Sequence, residues 1–83
     1  MSLQNKYGLH ARPATLFAEI ANQFTAHIRV AKDEMVVSGK SIFGIMTLGA
    51  ERGTALTIRA WGEDAARAVE ALRKLIDSKF GEE

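Results

Sequence analysis

The sequence predicts a two-layer α+β domain, a four-stranded antiparallel sheet with all three helices on one side. Three observations carry that expectation. Apolar residues recur at three- and four-residue intervals in two long stretches and crowd a third, short one. Three other stretches alternate or run apolar in β-favouring residues, and a fourth at the start is weakly extended. Their order is strand, helix, strand, strand, helix, strand, helix, and elements with one apolar face each must stack into layers.

Ser2 to Lys6 reads as a short first strand. From Ala11, Leu16, Phe17, Ile20, Ala21 and Phe24 form a helix stripe of about 100° per residue. Ala26 to Ala31 alternates, with Ile28 and Val30 on one face and His27 and Arg29 on the other. Lys32-Asp33-Glu34 is a polar break before Met35-Val36-Val37, so the two runs predict a hairpin, although no glycine supplies the usual turn. Ser41 opens a short helix carrying Ile42, Phe43, Ile45, Met46 and Leu48, and Gly49 stops it. After Gly53, Leu56, Ile58 and Ala60 point inward while Thr57, Arg59 and Trp61 point outward. Gly62-Glu63-Asp64 turns the chain, with Asp64 expected to cap a helix from about Ala65 to Lys79. Val69, Leu72, Leu75, Ile76 and Phe80 form its buried side, and Gly81 ends it.

Composition narrows the function classes. The 83 residues are read as one domain over 1–83, able to bury one small core. The chain has no cysteine, which excludes disulfides and thiolate chemistry and is at home in the cytoplasm. A net charge of +1 argues against a nucleic-acid surface. No apolar run approaches a membrane span, so no membrane insertion is expected. Two separated histidines suggest no metal site, and no cofactor is implied. Soluble proteins are the expected partners.

The most informative stretch is Gly8-Leu9-His10-Ala11-Arg12-Pro13-Ala14. It places a histidine at a helix start, an arginine two residues on, and a proline in the first turn, where the missing N–H costs nothing. The free amides there and the positive end of the helix dipole make an anion site. A neutral imidazole is nucleophilic near its ordinary pKa of about 6.5, and the dipole opposes its protonation. The same amides and Arg12 would then balance a phosphoryl group's charge. Taken alone, a histidine at a helix start is more often a surface residue or a mediocre cap. His27 has no such neighbours and is read as an outward strand residue without a role.

Gly39-Lys40-Ser41-Ile42-Phe43-Gly44-Ile45-Met46-Thr47-Leu48-Gly49 is the second motif. Ser41 is most simply an N-cap. Gly39-Lys40-Ser41 also matches the end of a P-loop, but Glu34 occupies the earlier glycine position. Five large apolar residues in seven positions exceed one buried face of a short helix. At least two of them should stay exposed, the mark of a protein-binding patch.

The two motifs, in this order on a chain of this length, resemble the signatures of HPr, the histidine-containing phosphocarrier family of the bacterial phosphotransferase system. The resemblance spans nearly the whole chain and implies an open-faced sandwich with the first strand beside the last, then the second and third. It implies that His10 accepts a phosphoryl group on Nδ1 from enzyme I and passes it to EIIA proteins or domains, with Arg12 pairing the phosphate. The protein would then be a carrier and not an enzyme, working in sugar uptake. Thr15, Ile42, Phe43 and Met46 fall where the family docks its partners. Ser41 matches a serine that some members have phosphorylated by an HPr kinase/phosphorylase. Only seven residues precede Gly8, fewer than usual, which implies a shortened first strand and a less covered edge beside the fourth. Glu19 and Asn22 stand where some members are basic. A nitrogen-branch or mainly regulatory carrier is the rival within the family, and an inert interaction module in which His10 only caps a helix is the rival outside it.

Overall fold

A computed structural model of the chain describes residues 1–3, 11–49, 51 and 53–81. Its elements are α1 (Ala11–Ala21), β1 (His27–Lys32), β2 (Met35–Ser38), α2 (Ile42–Thr47), β3 (Thr57–Trp61), α3 (Ala65–Asp77) and a closing 3₁₀ turn, Lys79–Gly81.

The strands form an antiparallel sheet in the order β2-β1-β3. Three strands, not four, are therefore present among the described residues. The expected first strand, Ser2 to Lys6, falls largely outside them, and what is described is an antiparallel bridge between Ser2 and Ala55. Leu3 N donates to Thr54 O at 2.9 Å and Gly53 N donates to Leu3 O at 2.7 Å. The opening segment thus lies beside the run that enters β3, on the side the four-stranded order assigns to it.

Alternation decides which sheet face is covered. Ile28 and Val30 are buried while His27 and Arg29 are exposed. In β3, Ile58 and Ala60 pack against the core while Thr57, Arg59 and Trp61 face solvent. Phe17, Ala14, Ala18 and Ala21 of α1, Ile45 of α2, and Ala68, Leu72 and Ile76 of α3 meet Ile28 and Val30 in one core with Leu3, Leu56 and Phe80. One face carries the helices and the other is open, as the two periodicities require.

The β1–β2 hairpin closes through Asp33 and Glu34, with Lys32 opposite Met35. Asp33 supplies the positive φ, 53°, that a glycine normally would. A short polar side chain tolerates that region.

At the other turn the sequence expectation is corrected. Asp64 stands before α3, yet its carboxylate makes no capping bond to the helix. It accepts the backbone N–H of Thr25 at 2.9 Å and of Ala26 at 2.8 Å. These two donors enter β1 without a strand partner, and satisfying them across the fold outweighs a local cap. The N–H of Thr25 does most to hold the Asp64 carboxyl below its ordinary pKa; desolvation opposes it, and the N–H of Ala26 adds to the lowering.

α3 ends at Asp77, two residues before the expected Lys79. Ser78 Oγ donates to Leu75 O at 2.8 Å, and Lys79 and Phe80 both take φ near 58°. The reversal drives Phe80, 1% exposed, back into the core. Burying that ring offsets the cost of left-handed backbone at two non-glycine residues.

Candidate functional site

α1 buries Pro13, Ala14, Phe17, Ala18 and Ala21, which leaves Arg12 and Glu19 in solvent and Thr15 half-buried. No acidic residue occupies its first turn. The positive end of its dipole is therefore not neutralised from within the helix. His10 lies outside the described residues; in sequence it is the residue immediately before Ala11, the first of α1. Thr15 Oγ1 donates to Ala11 O at 2.8 Å, which commits its proton to the helix.

The C-terminal end of α1 is tied to the approach to α2. Asn22 Nδ2 donates to Ala18 O at 2.8 Å and to Lys40 O at 3.1 Å. Lys40 Nζ donates to Phe24 O at 2.7 Å. Thr15 is seven residues before Asn22, two turns back along α1. The asparagine that makes this surface less basic is thus the residue that fastens the two helices together.

α2 has only six residues and depends on its ends. Ser41 sits in extended backbone, φ −106°, ψ 113°, and its Oγ accepts the Gly44 N–H at 2.9 Å. The expected N-cap is present. At the other end Lys32 Nζ donates to Leu48 O at 3.1 Å and Gly49 O at 3.4 Å. That places a cation where the helix dipole is negative. Gly39 is fixed by close approach: its N–H donates to Ile28 O at 2.9 Å, and a Cβ there would lie 2.5 Å from Ile28 Cγ2.

With its ends held, α2 commits Ile45 and Leu48 to the core and leaves Ile42, Phe43 and Met46 outside. Phe43 is 78% exposed, and Ile42 and Met46 are each 42% exposed. All three candidates are exposed, consistent with the count of apolar positions, which requires at least two of the five to stay outside. α1 and α2 pack together, with Thr15 half-buried and Arg12 exposed on α1 and Ile42, Phe43 and Met46 exposed on α2. Ser41 opens the helix that carries the patch. His27 lies elsewhere: it points out from the open sheet face and stacks on Trp61, ring centroids 5.5 Å apart.

Among the described residues no group of three His, Cys, Asp or Glu side chains is placed to hold a metal ion. No helix among them is long and apolar enough to cross a membrane.

Comparison with known proteins adds to this geometry. The family described as "PTS HPr component phosphorylation site" matches residues 1–78. The phosphocarrier protein HPr of Neisseria meningitidis is 45% identical over 78 residues, which covers 94% of this chain and 88% of that protein. The phosphocarrier protein NPr of Shewanella violacea is 38% identical over 82 residues, covering 99% and 90% respectively. Among solved structures, HPr from Thermoanaerobacter tengcongensis superposes with a TM-score of 0.96 at 49% identity, over 100% of this chain and 93% of that one.

Proposed function

The chain belongs to the HPr family of phosphotransferase-system phosphocarriers, and on that premise we propose that His10 is the residue that takes up and hands on the phosphoryl group. In this reading a phosphohistidine on enzyme I is the donor. The His10 Nδ1 lone pair attacks phosphorus in line, and a new N–P bond forms. The donor's N–P bond breaks, and its electron pair returns to the donor ring nitrogen. Transfer to an EIIA protein or domain repeats the exchange with His10 as the leaving group. Two imidazoles of similar basicity make both steps nearly balanced, so positioning and charge screening decide the rate. The phosphoryl group's charge falls on the first-turn amides of α1 and on Arg12. Arg12 is exposed and unrestrained by a neighbour in α1's core face, which suits a carrier that must release its cargo.

The observation that supports this most is the exposed triad Ile42, Phe43 and Met46 on the helix packed against α1. A ring as exposed as that of Phe43 contributes little to the core and is available to a partner. Thr15 completes the docking surface. Both enzyme I and EIIA would meet the same patch in turn, in the cytoplasm. A phosphate on Ser41, placed by an HPr kinase/phosphorylase, would lie at the edge of that patch and act on docking.

The full-length likeness to an NPr supports a second reading, in which the acceptor belongs to a nitrogen branch. One experiment separates the readings. The chain is incubated with enzyme I and labelled phosphoenolpyruvate, then with sugar-branch and nitrogen-branch EIIA proteins. Label on His10 that moves to a sugar-branch acceptor supports the first reading. Movement to a nitrogen-branch acceptor alone supports the second, and an unlabelled protein excludes both.

A further inference from the structure

The open face of the sheet carries a group of residues that the phosphoryl relay does not use. Arg29 on β1 and Arg59 on β3 are direct cross-strand partners, and both point to solvent. Cβ atoms of such a pair lie about 5 Å apart, and like charges placed so destabilise a sheet. Arg29 Nη1 donates to its neighbour's carbonyl, Ile28 O at 3.5 Å, and its guanidinium lies 5.7 Å from the ring of Trp61. A like-charged arginine pair on a solvent-facing sheet is a cost that a bound anion would lower.

The surroundings shape what that anion would be. The next pair along the strands, Ala31 opposite Thr57, is small and forms the floor of a hollow of about 320 Å³. Val36, opposite Ala31 on β2, makes one wall, and Trp61 makes another. Trp61 is held from the β1 side by the stacked ring of His27. Asp33, in the hairpin turn, closes the end away from the arginines. The size is at the lower limit for small-molecule sites.

We propose that this hollow binds a small hydroxyl-bearing phosphomonoester, its phosphate between Arg29 and Arg59 and its hydroxyls toward Thr57 and Asp33. Two guanidinium forks offer the planar donor sets that a phosphate dianion accepts. Asp33 accepts hydrogen bonds and repels a second anionic group, so a hydroxylated tail suits that end and a bisphosphate does not. Thr57 can donate or accept beside it. The helices cover the opposite sheet face, so the site is separate from Arg12 and the start of α1 and does not depend on the phosphocarrier reading.

Trp61 is the chain's one tryptophan, so its fluorescence reports on this face directly. The full chain is titrated at low salt with glucose 6-phosphate, inorganic phosphate and glucose. The expected result is a saturable change with glucose 6-phosphate, a weaker one with inorganic phosphate, and none with glucose. Arg59→Gln should weaken glucose 6-phosphate binding roughly tenfold or more, since it removes a charge-assisted contact. Asp33→Asn, which keeps a residue tolerant of positive φ, should weaken glucose 6-phosphate several-fold and leave or improve inorganic phosphate. Amide NMR shifts should centre on Arg29, Ala31, Thr57 and Arg59. A non-saturating response, an equal affinity in Arg59→Gln, or shifts confined to Ala11–Ala14 would overturn the proposal. Phosphoryl transfer from enzyme I should be unchanged in Arg59→Gln, so the two sites stand or fall separately.

Discussion

Replacing Ser41 separates its two properties, the hydroxyl that caps α2 and the absence of charge beside the docking patch. Its Oγ accepts the Gly44 N–H at 2.9 Å, and α2 has only six residues to spread the loss. Ser41→Ala leaves that donor without its partner and should cost about 1 kcal/mol. For a domain of this size that is a fall in Tm of roughly 4–8 °C. Asp and Asn cap about as well as Ser, so Ser41→Asp and Ser41→Asn should melt near the wild type. Transfer from enzyme I should follow a different order. Ser41→Asp places a carboxylate next to Ile42 and Phe43, the latter 78% exposed. Desolvating a charge against an apolar surface costs several kcal/mol unless a partner cation meets it. Even about 1.4 kcal/mol of that cost retained in the complex would slow transfer about tenfold at subsaturating protein. Ser41→Ala and Ser41→Asn should transfer at close to the normal rate. The assay is calorimetry or circular dichroism melting on all four proteins, with rapid-quench transfer from phosphorylated enzyme I over a range of concentrations. Equal transfer by the Asp and Asn variants would remove the electrostatic argument and leave Ser41 as a cap alone.

Four further outcomes test other parts of the reading. His10→Ala should abolish acid-labile, base-stable labelling by enzyme I while His27→Ala keeps it, and label on the His10→Ala protein would refute the assignment. Phe43→Ala should change stability by no more than about 0.5 kcal/mol because the ring is exposed, yet should raise the concentration of carrier that enzyme I needs for half-maximal transfer. Phe80→Ala should cost about 3–5 kcal/mol, since the ring is buried behind two left-handed residues; a melt near that of wild type would mean that the reversal is not held by its side chain. Asp64 has its folded-state pKa depressed by the Thr25 and Ala26 amides, so its stabilisation is present above the unfolded carboxyl value of about 3.9 and is lost as pH falls below it through the folded value. Asp64→Asn should therefore melt below wild type at neutral pH and approach it in acid, and a constant difference across pH would contradict this origin.

Local periodicity carried most of the fold. Ile28 and Val30 alternate with His27 and Arg29 in sequence and across the sheet alike, because a half-buried strand needs that alternation. That at least two residues stay exposed was legible from crowding, since five large side chains in seven positions exceed one buried face of a short helix. What stayed hidden depended on contacts between distant segments. The composition of Gly62-Glu63-Asp64 suggests a cap, but only the fold brings Thr25 and Ala26 to Asp64 with two unpaired amides. Phe80 fits the α3 stripe, yet its route into the core requires backbone that no propensity favours. The Arg29–Arg59 pair exists only once the register of β1 on β3 is set, and residues 29 and 59 carry no signal of it in the linear sequence. The expected first strand lies largely outside the described residues, and what is described of it is the Ser2–Ala55 bridge.

The docking patch needs an explanation in stability terms, because isolated helices as short as α2 do not persist in water. Three apolar residues left outside would be expected to pull such a helix toward another packing. The restraints come from its flanks. Ser41 closes its first turn, and Lys32, fixed in β1, neutralises its last carbonyls. Gly39 lets the chain approach Ile28 more closely than a Cβ would allow, and a Cβ at Gly44 would press tightly on Ser41 and Val37, at 3.2–3.3 Å. Asn22 and Lys40 then lock α2's approach to the end of α1. These contacts are backbone-directed and do not use the exposed side chains, so Phe43 can stay largely exposed and Ile42 and Met46 partly so. A surface that is fixed in position, apolar and in large part not spent on the core suits the docking role proposed for it. On this argument, loosening the flanks through Asn22→Ala or Lys32→Ala should impair transfer from enzyme I more than truncating the same number of atoms on the open sheet face, even where the losses in melting temperature are alike.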